Sequence, residues 1–194
     1  MAHEVDLPSL TPEQERAIAA KYLADLASTE PDLLPYEIFI PVAKLVTTHT
    51  VEIGLIRPSD EDVSGAEVLL TQRPANDKFW ANQWHLPGSM VWANDPVKHL
   101  HDYDAAIARA IGEVGGSIEV VDEPIMYDVV RRKGLRGSEA TARLMAVVAG
   151  IPDEGRFFGM TDVQKRPPEH GLIVGHADEI QRMADLYSNL RSQS

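Results

Sequence analysis

One helix-length stretch, Asp104 to Gly116, stands among segments whose apolar residues follow strand spacing. That mixture constrains the fold more than any other feature of the chain. Within the stretch, Ile107, Ala110, Ile111 and Val114 recur at i, i+3, i+4 and i+7, the stripe of a helix lying on a core. Before it, Val51–Ile56 and Glu67–Arg73 read as strands separated by the polar loop Pro58–Gly65, and His85–Trp92 is an extended segment broken at Pro87-Gly88. After it, Ile118–Val121, Ile125–Arg131 and Ala140–Val148 read as strands, with Arg132–Gly137 as the hairpin loop between the last two. Near the start, Thr11-Pro12-Glu13 supplies an N-cap, a proline at the first helical position and an early acid, which predicts a helix to about Ala27. Residues 35–46 predict a second short helix packed across the core, and Ile180, Met183, Ala184 and Tyr187 predict a last one over Ala177–Leu190. Strands mixed with a few helices, without regular alternation, predict an α/β chain of the α+β type, a mixed β-sheet packed between helices. The expected organisation of the 194 residues is a helical extension over 1–34 and one domain over 35–194.

Charge and composition narrow the partners. A formal net charge of -12 opposes nonspecific binding to nucleic acid or to an anionic membrane. With no cysteine there is no disulfide, thiolate metal site or thiol nucleophile. The longest apolar run, Leu144–Ala149, is far too short to span a bilayer, and Met1-Ala2-His3-Glu4 lacks the order of a signal peptide. A cytoplasmic protein with a small-molecule partner, without nucleic acid or membrane and with a homodimer open, is the expectation.

Arg109, Ile111, Glu113 and Gly116 fall at the spacing of a known signature, whose first glycine matches Gly88 of Leu86-Pro87-Gly88 across a longer loop. From about Val51 to Leu190 the chain resembles a Nudix hydrolase domain, whose box reads G-x5-E-x7-R-E-U-x-E-E-x-G-U, with U a bulky aliphatic residue. Val68-Leu69-Leu70-Thr71-Gln72-Arg73-Pro74, Trp84-His85-Leu86-Pro87-Gly88 and the downstream strand order resemble the family as well. Four box positions depart: His101 takes the early glutamate after seven extra residues, and Ala110, Val114 and Ser117 occupy the others. The resemblance implies a Nudix fold, a nucleoside-diphosphate-linked or other pyrophosphate-like ligand, and magnesium held by the glutamates, of which Glu113 is the survivor. It makes Glu113 the metal ligand and, with Arg109, the catalytic candidate. Magnesium takes oxygen ligands, and carboxylates three or four residues apart share a helix face, so losing two of them weakens the metal expectation.

The same helix also reads as a packing helix, capped by Asp102 and stopped by Gly115-Gly116, with Arg109 and Glu113 pairing on its flank. His85, His99, His101 and Asp102 form an alternative imidazole-rich metal set, or else surface and capping residues. Arg131, Arg132, Lys133 and Arg136 concentrate positive charge, which suits a phosphate grip or merely a solvated turn. Arg73 and Glu139 are pocket candidates at strand ends. Phe79, Trp80, Trp84 and Trp92 surround the Pro-Gly turn as stacking or core residues. Gly88, Arg73, Trp84, His85, Arg132 and Glu139 are therefore the ligand-binding candidates.

Three functions stay open. The first is a ligand-binding Nudix fold with weak or lost hydrolysis. The second is an active, divergent magnesium-dependent pyrophosphohydrolase recruiting Asp102, Asp104, Glu119 or Glu139. The third is a non-catalytic partner-binding module that uses the N-terminal helix.

Overall fold

The computed structural model describes residues 11–28, 36–92, 95–96, 102–165 and 167–192. The chain divides into two compact units, Met1–Val42 and Ala43–Ser194. In the first, helix α1 spans Pro12–Ser28. Thr11 closes it reciprocally: its Oγ1 accepts from Gln14 N at 3.3 Å while its own N–H donates to Gln14 Oε1 at 2.9 Å. Helix α2 covers Tyr36–Leu45.

The second unit is built on β1 (Thr47–Pro58) and β7 (Gly137–Ala149), which run parallel from Thr47↔Ser138 to Ile56↔Val147. The other border of β1 takes β2 (Ala66–Gln72) and β4 (Gly88–Met90), both antiparallel. β2 carries β3 (Trp84–His85) and β8 (Arg156–Gly159); β7 carries β5 (Glu119–Val120) and β6 (Ile125–Gly134). Helices α3 (Asp104–Val114), α4 (Met160–Lys165) and α5 (His176–Ser192) complete it. The expectation of a mixed sheet between helices agrees with this architecture.

Alternation along the two central strands explains both cores. Val51, Ile53 and Leu55 of β1, with Ala142, Leu144, Ala146 and Val148 of β7, face Ala106, Ala110 and Val114 of α3. Ile56 and Met145 face the opposite way and pack with Met160, Val163, Ile180 and Met183 of α4 and α5. Fully burying each such aliphatic side chain contributes about 1.5–3 kcal/mol.

Local chemistry accounts for the ends of α3. Gly115 and Gly116 have φ of 66° and 74°, and a Cβ on Gly116 would lie 2.2 Å from Ile151 O, so the helix stops where only glycine fits. At the other end the capping expectation needs correction. Tyr103 is the N-cap and makes no side-chain capping bond, while Asp102 Oδ1 accepts from Asp104 N at 3.2 Å.

The hairpin between β6 and β7 is also tighter than expected. The ladder continues through Arg132↔Glu139 and Lys133↔Ser138 to Gly134↔Gly137, leaving only Leu135 and Arg136 in the turn. Arg132 and Lys133 are therefore strand residues. From the extended ladder Arg132 reaches Glu139 on β7 and Glu52 on β1. The sequence 151–175, for which no element was expected, supplies β8 and α4.

Candidate functional site

The register of β1 on β7 sets Glu52 opposite Arg143, with both side chains on the α5 side. Around them the fold gathers a charged group. Arg132 NH2 donates to Glu52 Oε1 at 2.5 Å, and its Nε lies 3.4 Å from Glu139 Oε2. Arg143 is hydrogen-bonded to Glu179 Oε1 from α5, and its Nε stands 3.9 Å from Glu52 Oε2. Arg136 reaches Glu139 Oε1 at 3.0 Å from the turn. Glu139 and Glu179 are buried.

Burial, followed by the charge of Glu52, pushes the Glu179 carboxyl up to about 8, although Arg143 and Arg132 pull the other way. Glu52 moves in the opposite direction. Burial opposes its charge, but His176, Arg132 and a hydrogen bond from Glu179 hold it well below the ordinary carboxylate range. The two glutamates thus behave as one protonated and one ionised carboxyl.

The loop preceding β4 is tied to this group through two histidines whose tautomers follow from their partners. Leu86 N donates to His176 Nδ1 at 2.9 Å, so the proton of His176 sits on Nε2, which faces Glu52 Oε1 at 3.7 Å. His85 Nδ1 donates to Leu86 O at 2.6 Å. Burial and the nearby Arg73 lower the His85 pKa to about 3, so the ring is neutral and its Nε2 accepts from Thr71 Oγ1 at 3.1 Å. Gly88 admits β4 to its place: a Cβ there would lie 2.6 Å from Val51 O.

Two arginines border the charged group. Arg73 follows β2, and Arg136 lies with its guanidinium 4.9 Å from the centre of the Trp80 ring. Burial, then repulsion from Arg136, lowers the Arg73 pKa; Asp77, Glu113 and Glu52 act in the opposite sense. Arg73 Nε and Arg136 Nε are both buried without a hydrogen-bond partner among the described residues. Buried donors are rarely left so, and two guanidinium groups near enough to repel each other suit an anion such as a phosphate.

Helix α3 meets this region through Glu113. Partial burial raises the Glu113 pKa, against the pull of Arg73 and Arg109. Two of the three box glutamates that the chain lacks fall on Ala110 and Val114, which are fully buried against the sheet. Magnesium is usually held by one or two carboxylates with waters and substrate phosphates, and here Glu113 would be a single such ligand with Arg73 and Arg109 nearby. Among the described residues there is no group of three or more His, Asp or Glu side chains arranged to hold a metal.

Arg109 has a different partner from the one expected. It pairs with Asp95 rather than Glu113, through NH1–Oδ1 at 2.6 Å and NH2–Oδ2 at 2.8 Å. It also donates to Met90 O at 2.7 Å and to Ser89 Oγ at 3.2 Å, and stacks 4.0 Å from the centre of the Trp92 ring. The hydrogen bonds from Arg109 lower the Asp95 pKa. Arg109 is thus a clamp between α3 and the segment after β4, where a forked donor outcompetes a flexible i, i+4 pair. Counted forward from Gly88, the early box glutamate falls one residue before Asp95, a signal lost by counting back from Arg109 to His101.

The remaining candidates separate. Arg132 and Glu139 sit in the charged group, with Arg73 and His85 beside it. Trp84 instead gives its indole N–H to Glu169 O at 3.0 Å and packs edge-on against Phe158, with ring centres 5.1 Å apart. Of the alternative metal set, His99 and His101 lie outside the described residues. Both ring nitrogens of His85 are occupied. Glu52, Arg143, His176 and Glu179 were missed, since an isolated Glu or Arg in a strand or helix carries no sign of its partner 36 to 90 residues away. The i, i+2 rhythm of Glu52 against Val51 and Ile53 was the available signal.

No protein-family model matches the chain, and no curated protein matches its sequence. Solved structures do match. The NUDIX domain of Shewanella oneidensis NrtR, complexed with ADP ribose, is 20% identical with a TM-score of 0.54, over 86% of this chain and 97% of that one. A mutT/nudix family protein from Listeria innocua is 19% identical with a TM-score of 0.56, over 76% and 98%. A Nudix hydrolase from M. smegmatis, RenU, is 20% identical with a TM-score of 0.50, over 73% and 86%. At these identities the likeness is one of fold.

Proposed function

We propose that this chain, whose fold is that of the Nudix proteins, binds a nucleoside-diphosphate-linked or other pyrophosphate-like ligand and hydrolyses it weakly or not at all. The observation that carries this reading is the pair of buried, unpartnered Nε–H donors on Arg73 and Arg136, next to Glu113, the one box glutamate left. A diphosphate supplies the acceptors that these donors lack. Arg132 and Glu139 then act as positioning residues that hold Arg136 and the β6–β7 turn. His85 and Gly88 keep the preceding loop close to β1. The complex of the NrtR domain with ADP ribose makes that compound the first probe to use.

Titration calorimetry with ADP-ribose and a panel of nucleoside and sugar diphosphates, with and without magnesium, tests the reading. Binding is expected without added metal, and Arg73→Ala is expected to weaken it by at least about tenfold, which is 1.4 kcal/mol. Absence of binding across the panel defeats the proposal. Turnover of any member at about 1 per second or faster defeats its hydrolytic half and makes Glu113→Gln the decisive variant for a divergent hydrolase.

A further inference from the structure

The border of the sheet formed by β5 and β6 carries a surface that the charged group does not use. Both strands pair with β7 on one side, and neither has a strand on the other among the described residues. An edge of this length is a template for association unless it is blocked. This one is apolar: Val120, Val121, Ile125, Met126, Val129 and Leu135 are all exposed, Val121 at 59% and Val129 at 54%. Scattered single apolar residues are ordinary on a surface, but here they recur along one sheet border, which marks an interaction site.

The charges along the same border favour a particular occupant. Segment 119–136 has four acids (Glu119, Asp122, Glu123, Asp128) and four bases (Arg131, Arg132, Lys133, Arg136), so it is neutral within a chain of net charge -12. A net charge of -12 makes two copies repel on approach, so a neutral segment is where they can meet. The signs are also sorted. Glu119, Asp122 and Glu123 lie at one end, Arg131 and Lys133 at the other, and Ile125, Met126 and Val129 between them. Turned antiparallel, the segment complements itself: acidic end meets basic end twice, and the apolar centre meets its own copy. A parallel arrangement would set like against like.

We propose that the β5–β6 border is the interface of a two-fold symmetric homodimer, with the two edges antiparallel about an axis near Tyr127 and Asp128. An isologous contact of this kind is closed, so it ends at two copies and does not propagate.

Sedimentation of the full chain over a range of concentrations tests this, together with two charge-swapped variants. Asp122→Lys with Glu123→Lys makes both ends basic, and Arg131→Glu with Lys133→Glu makes both ends acidic. Each alone is expected to dimerise at least about tenfold more weakly than the parent, and an equimolar mixture to regain a dimer, since opposite ends then meet again. Circular dichroism and thermal melting establish that each variant is folded. Val129→Lys, at an exposed position in the apolar centre, gives a separate disruption should a charge swap misfold. A parent that is monomeric at every concentration overturns the proposal and leaves the edge to a foreign strand. Folded variants that dimerise like the parent, or a mixture that stays monomeric, overturn it as well.

Discussion

The two faces of one sheet, made by alternate residues of the same two strands, have opposite chemistry. Toward α3, β1 presents Val51, Ile53 and Leu55, and β7 presents Ala142, Leu144 and Ala146. Toward α5, the same strands present Glu52 with Glu139, Thr141 and Arg143, and only further along do Ile56 and Met145 restore an apolar core. The helix that carries Arg109 and Glu113, α3, therefore lies on the dry face. The helix that completes the charged group has no box residue at all. The lesson is that a local sequence pattern marks a helix and its packing, while the charged chemistry of the chain has to be located by burial and pairing.

The largest expected effect breaks the dry face. Val114→Glu or Ala110→Glu restores a box carboxylate, but both positions have no exposed surface, so the variant buries an unpaired charge. A loss of at least about 3 kcal/mol in denaturant unfolding is expected, because burying an ion costs several kcal/mol. A fully stable variant would mean that α3 can roll outward, and would revive the metal face.

The charged face is expected to break in a different way. Arg143→Met leaves Glu179 with Arg132 alone, 3.9 Å away, and should cost about 3 kcal/mol, as removal of one member of a buried pair does. Adding Glu179→Met should recover part of that loss, a coupling that a double-mutant cycle reads directly. Simple additivity would show that the two side chains act independently.

A smaller effect concerns pH. The Glu179 pKa is raised in the folded state, so the unfolded chain binds fewer protons between about pH 4.3 and about 8. Stability should therefore fall as pH rises through that window. Glu52, whose pKa is lowered, contributes stability above the ordinary carboxylate range that is lost only as pH falls below it. Glu179→Gln keeps an acceptor for Arg143 and removes the titration, and should flatten the decline of Tm between pH 5 and 8. An unchanged slope would assign the titration to another group.

The smallest effect refines the reading of α3. Gly112 lies on its outer side, and a Cβ there would meet nothing within 4 Å. Gly112→Ala should stabilise the protein by about 0.5–1 kcal/mol, the ordinary helix-interior difference, with ligand binding unaffected. Weakened binding would place the ligand against this side of the helix.

Much of the fold was legible because its signals are local. The Thr11 cap, the Gly115-Gly116 stop, the two-residue rhythm of Val51, Ile53 and Leu55, and the stripe from Ile107 to Val114 each lie within a dozen residues. The charged group was legible only in part. Arg132 and Glu139 stood out because bases cluster near a predicted turn. Their placement in a ladder followed from Glu52, a single acid in an apolar strand. Glu179 sits on a helix that reads as amphipathic, where a glutamate ordinarily marks the solvent side. Its burial is set by Arg143, and no short-range pattern carries that. Asp95 escaped for a plainer reason, since the spacing of the box is altered around it.

The parallel pairing of β1 with β7 has a consequence for how the protein is made. Thr47 must find Ser138, and Leu86 must find His176, so neither contact exists until most of the chain has been synthesised. Until then Glu52 belongs to a strand with neither its cation nor its histidine. Emergence of the last helix from the ribosome is therefore the step at which this half of the sheet becomes tenable, and a topology so rich in distant contacts folds slowly for its size. A chain stopped short of His176 would carry Gly88, Arg109 and Glu113 and still lack the histidine that sets the loop before β4.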